Sequence, residues 1–120
     1  MFAWVLLALL ASSQAQAWYE ELLVDGGYGR LPHERAAFLI LERDGSLTMQ
    51  PWDTRGVRHA TFRGAIPPRV LAIVHTHPRG EWKPSARDRE EAVRTGIPVI
   101  VVTNGRVMAA MPNGIVQQLP

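Results

Sequence analysis

Apolar residues in this chain fall in short runs separated by turn-forming residues. Val70 to Val74 is one such run, long enough for a buried strand and too short for a helix of its own. Ile97 to Thr103 predicts a second buried strand. Glu34 to Leu41 is apolar on both faces after Arg35, the pattern of a strand covered on both sides. Arg43-Asp44-Gly45-Ser46 predicts a hairpin turn that returns antiparallel through Leu47 to Gln50, and Asn104-Gly105 predicts another that returns through Arg106 to Ala110. Pro51 to Gly56 reads as loop, Arg58 to Arg63 as a strand, and Ile66-Pro67-Pro68-Arg69 as a rigid lead-in to Val70. Pro112-Asn113-Gly114 marks a turn before a short last strand, Ile115 to Gln118. Helical pattern is confined to Trp18–Val24, closed by Asp25 to Gly29, and to the stretch from Ser85 to Thr95, closed by Gly96. The sum is an α/β (α+β) sandwich, a mixed sheet flanked by one or two helices.

The first seventeen residues do not fit that alternation. Phe2 to Ala11 is almost unbroken apolar sequence, Ser12-Ser13-Gln14 interrupt it, and Ala15-Gln16-Ala17 has the small-x-small form of a cleavage site. Residues 1–17 therefore read as a secretory signal peptide and residues 18–120 as the mature domain, secreted or periplasmic. The run is too short to span a bilayer as a stable helix. No Lys or Arg precedes it, so an uncleaved anchor is the competing reading. Composition adds little: 120 residues, 47% hydrophobic and 20% charged, describe one ordinary folded domain. The net charge of +2 comes mostly from arginines scattered along the chain, without the clustered basic stripe of a nucleic-acid binder. There is no cysteine, which excludes thiolate metal ligands and a cysteine nucleophile.

Chemistry gathers at the end of the Val70–Val74 run. His75 and His77 are separated by one residue, so on a strand both project to the same side, with Thr76 pointing away. Pro78 stops the strand, a loop with Gly80 and Pro84 follows, and Ser85 opens the helix. Asp88 lies one turn on, on the same helix face as Ser85. Two imidazoles at a strand end and a carboxylate at a helix start can meet around one ion. Three N and O donors suit Zn²⁺ with an open fourth position. Ser85 with Asp88 also has the form of a helix cap, and the two roles are compatible.

The pattern His75-Thr76-His77, seven residues from Pro78 to Pro84, then Ser85-Ala86-Arg87-Asp88 resembles the signature of the JAMM (MPN+) metalloprotease family. The proline after the second histidine matches too, and the resemblance extends in pattern from Leu31 to about Gly105. It implies a sheet flanked by helices, a cytidine-deaminase-like sandwich, with zinc on His75, His77 and Asp88. It also places a catalytic glutamate at the start of a buried strand, which falls on Glu34, although Ala37 stands where the family usually has glycine. Glu42, after the strand, and Glu81, in the loop, are the competitors.

On that resemblance the expected activity is zinc-dependent hydrolysis of a peptide or isopeptide amide. Glu34 takes a proton from water and passes it to the leaving amine, and Ser85 donates to the oxyanion. The expected partner is a peptide or protein substrate, of the cell envelope if the chain is exported. Trp82 either lines the cleft or packs on Lys83 or Arg79. The rival readings are a catalytically silent scaffold of the MPN type, and a domain whose metal is structural. The second needs a fourth protein ligand, for which His33 and His59 are the candidates.

Overall fold

Six strands form one sheet in the order β2-β1-β3-β4-β5-β6. The computed structural model describes residues 3–29, 34–52, 64–77 and 81–120. The strand expected at 58–63, and His33, His59 and Arg79, lie outside the described residues. β1 (Ala36–Leu41) turns at Gly45, whose φ of 88° suits glycine, and returns antiparallel as β2 (Leu47–Pro51). β1 also pairs antiparallel with β3 (Val70–Thr76), which sets Ala36 opposite His75.

β3 runs parallel to β4 (Val99–Thr103), and parallel neighbours need a crossover. That crossover is α3 (Ala86–Thr95), capped by Ser85 and ended by Gly96 in the left-handed region at φ 70°. β5 (Arg106–Ala110) returns antiparallel through Asn104-Gly105, and β6 (Val116–Gln118) closes the edge. The expected strand at 97–103 starts at Val99 because Pro98 ends the connection, and the last strand starts at Val116.

Alternation sorts the strand residues between two cores. Ala37, Leu39, Ala72, Val74, Ile100, Val102 and Ala109 face α1 (Ala3–Leu10) and α2 (Ser13–Asp25). Phe38, Ile73, Val99 and Ala110 face the other way, with Ala92 of α3 among them. The sequence leads one to expect a helix beginning at Trp18; it begins at Ser13, because Ser12 accepts a hydrogen bond from the Ala15 amide and caps it. α1 and the start of α2 thus contribute to the first core. Leu10 and Ala15 are fully buried, the Gln14 side chain accepts from the Leu47 amide, and the buried Tyr19 hydroxyl donates to the Leu10 carbonyl. Among the described residues no helix is long and apolar enough to cross a membrane.

Candidate metal centre

Beyond the irregularity in its pairing with β1 near Val70, the odd positions of β3 point to the α3 side. Ile73 enters the second core, and His75 and His77 continue the same row to the carboxyl end of the strand. At that end β3 has an antiparallel neighbour, β1, on one side and a parallel one, β4, on the other. Thr76 points the opposite way, and its hydroxyl accepts from the Arg35 amide at 2.9 Å, which tethers β3 to the start of β1. Glu34 stands two residues before Ala36 and so on the His75 side. It is buried, at 4% exposure, not the exposed strand-end carboxylate its position allows.

α3 brings the third element. Ser85 and Asp88 form a full capping box: Ser85 Oγ accepts from the Asp88 amide at 3.1 Å, and Asp88 Oδ2 accepts from the Ser85 amide at 2.8 Å. The cap fixes Asp88 with its carboxylate turned toward β3. His77 Nε2 lies 2.9 Å from Asp88 Oδ2, and His75 Nδ1 lies 3.2 Å from Asp88 Oδ1. Glu34 closes the group, with Oε1 at 3.4 Å from His75 Nδ1 and Oε2 at 3.8 Å from His77 Nε2. The structure therefore brings together four of the five expected residues at contact distance. The fifth, Ser85, sits at the exposed mouth as the cap. Glu42 is elsewhere, accepting from the Thr48 hydroxyl in the β1–β2 hairpin. Glu81 enters only through its carbonyl, which accepts from His77 Nδ1 at 2.8 Å.

Burial and charge pull against each other here. Burial lowers the His75 and His77 pKa values, yet both are held above the ordinary imidazole range, His75 well above it. Asp88 is the largest raising influence on each, and Glu34 and Glu91 add to it at His75. Burial raises the Asp88 carboxyl, and its contacts with His75 and His77 outweigh that, holding it well below the usual carboxylate range.

Among the described residues no three such side chains stand in ready metal-ligating geometry. The donors instead close on one another. Their chemistry nonetheless fits a divalent cation. Glu34, Asp88 and Glu91 are buried around two imidazoles, and buried carboxylates need compensating positive charge. Both ring nitrogens of His75 are buried without an aligned hydrogen bond, although carboxylate oxygens lie close to each.

Comparison with known families decides the kinship. A family model described as prokaryotic homologs of the JAB domain matches residues 16–114. The chain belongs to this JAB family. The match spans the sheet from β1 to β5, with α3 and every residue of the cluster. Among curated proteins, none matches. The JAB family includes JAMM peptidases, and JAMM-type JAB domains typically bind zinc.

Two parts of the site, Trp52 and Glu91, are not singled out by the sequence. Trp52 stands edge-on to His75, ring centroids 5.7 Å apart, and packs on Phe38 at 5.2 Å. Arg106 stacks over Trp82 at 4.0 Å, where Lys83 at 5.2 Å was one of the two expected partners. Glu91 lies 3.2 Å from His75 Nε2. The signal for Glu91 was present in the sequence: it follows Asp88 by three residues, one helical turn on the same face.

Proposed function

We propose that this JAB domain is a zinc-dependent hydrolase that cleaves a peptide or isopeptide amide bond. The observation that carries the reading is the convergence of Glu34, His75, His77 and Asp88, from three stretches distant in sequence, in one buried cluster. His75, His77 and Asp88 would hold the metal. When bound, zinc supplies Lewis-acid polarisation and lowers the pKa of water toward about 7. Glu34 is the general base. Its carboxylate stands at the His75 and His77 nitrogens, where it receives the proton of the attacking water and returns it to the leaving amine, a role worth typically ~10²–10⁴-fold. Ser85 is exposed at the mouth and uses its oxygen lone pair on the Asp88 amide, so its own proton is available for the developing oxyanion. That donation is worth on the order of 10²–10³-fold where such donors have been removed.

The silent-scaffold reading is separated from this one by a single set of variants. The whole chain should carry about one zinc per molecule by elemental analysis, lost in His77→Ala and in Asp88→Asn. Glu34→Gln should keep its zinc and lose hydrolysis of peptide and isopeptide substrates. Full zinc with no hydrolysis in the wild type would favour the scaffold, and full activity in Glu34→Gln would remove Glu34 as the base. Export belongs to the same proposal and is motivated by residues 1–17. It would make the substrate an exported protein or a cell-envelope peptide. Recovery of the whole chain in the cytoplasm of its host would sink that part alone.

A further inference from the structure

We infer that Trp82, Lys83 and Arg106 form a cationic rim at the mouth of the cluster, which selects a peptide substrate carrying a carboxylate close to the scissile amide. The substrate class rests on the hydrolase reading above; the rim rests on residues outside the cluster. The stretch from Glu81 to Ser85 is tied to the cluster at both ends. The Glu81 carbonyl oxygen lies 2.8 Å from His77 Nδ1, and Ser85 is joined to Asp88 by the capping box. Trp82 and Lys83 lie between those two ties and so border the mouth. Arg106 reaches the same place from the β4–β5 hairpin. It pairs with Thr103, at the end of β4 that runs beside the carboxyl end of β3.

Trp82 is half-buried, yet it belongs to neither core. Cations cover its ring instead, the Arg106 guanidinium at 4.0 Å from the ring centroid and the Lys83 ammonium at 5.2 Å. A guanidinium held by its face keeps its in-plane N–H donors free, and that fork matches a carboxylate. Arg87, exposed beside Asp88 in the first turn of α3, adds a third positive charge where the helix dipole favours a negative one, so helix stability does not explain it. Lys83 and Arg106 are exposed as well, and among the described residues none of the three cations has an ion-pair partner. Glu81 is the one acidic residue from position 81 to 87, so positive charge prevails at the mouth. Glu34 and Asp88 are buried and turned to the imidazoles.

The test uses the whole chain and a matched pair of short peptides, one with glutamates flanking its central amide and one with glutamines in their place. Binding is read by fluorescence anisotropy in chelator, and selectivity as the ratio of kcat/KM values with zinc. The chelated wild type should bind the acidic peptide roughly 3–10-fold more tightly than the neutral one, the scale of two exposed ion pairs, and added salt should erode the difference. Lys83→Gln combined with Arg106→Gln should abolish the preference in both readouts, and Arg106→Glu should turn it toward a peptide with lysines at the same places. These side chains are exposed and outside both cores, so the variants keep the fold. Equal binding of the two peptides by the wild type would overturn the inference. So would a preference that survives in the double variant, or a single-stranded oligonucleotide that binds more tightly than the acidic peptide. Hydrolysis of both peptides at equal kcat/KM would remove the rim and leave the hydrolase reading standing. Acid preference in binding with hydrolysis of neither peptide would overturn the hydrolase reading and support the rim.

Discussion

At the scale of single residues, the cluster is a set of proton partners as well as a candidate metal site, and the two uses have opposite pH dependence. In the metal-free chain, His75 and His77 have raised folded pKa values. A raised value means that the folded state holds the proton more tightly. Their contribution to stability is therefore complete below the unfolded value of about 6.5 and is lost as pH rises through the folded values. Asp88 is lowered, so its contribution is present above the unfolded value of about 3.9 and fades as pH falls below it. The chelated chain should accordingly be most stable between about pH 4 and 6.5. Metal binding needs neutral imidazoles, so the stabilisation that added zinc confers should grow with pH over the same range. Thermal melts from pH 4 to 9, with chelator and with zinc, check both slopes. A chelated chain that gains stability steadily from pH 6 to 9 would contradict the pairing of His75 and His77 with Asp88.

At the scale of elements, α3 does two jobs, and both hang on its first turn. As the β3–β4 crossover it supports the parallel pairing, and as a capped helix it aims Asp88. Ser85→Ala should cost about 1 kcal/mol of stability through the lost cap. It should also lower turnover well beyond that, while zinc content is kept because the metal-binding residues remain. A loss of zinc parallel to the loss of activity would mean that Ser85 acts only by placing Asp88. Much at this scale was legible in the sequence. The apolar run before His75, the Asp-Gly and Asn-Gly turns and the Ser85-to-Gly96 helix all carry local signals that tertiary packing did not override. Glu91 was harder to see. It sits in the charged stretch from Arg87 to Glu91, which reads as a solvated face until the neighbouring strand is known. Trp52 was hidden for another reason: it meets His75 because the end of β2 pairs with β1, not through sequence distance.

At the scale of the whole molecule, residues 1–17 carry two demands at once. Their apolar run and small-residue motif have the form of an export signal, while Leu10 and Ala15, with Leu6 and Leu7 beside them, complete a core. In the sequence Ser12 breaks the apolar run, yet the same hydroxyl is what a helix start requires; only the sheet lying beneath distinguishes the two uses. A cut after Ala17 would fall inside α2. It would remove the buried Leu10, the Ser12 cap, the Gln14 acceptor for Leu47 and the carbonyl that the Tyr19 hydroxyl uses. Burial of one leucine is worth about 1.5–3 kcal/mol, and a helix cap adds about 1 kcal/mol. The chain of residues 18–120 should therefore be less stable than residues 1–120 by about 3 kcal/mol or more, a drop in Tm on the order of 10 °C. Paired thermal melts of the two chains, both in chelator so that metal does not mask the difference, measure it. Equal melting temperatures would mean that α1 and the first turn of α2 contribute nothing to the fold. That would leave residues 1–17 free to serve export alone.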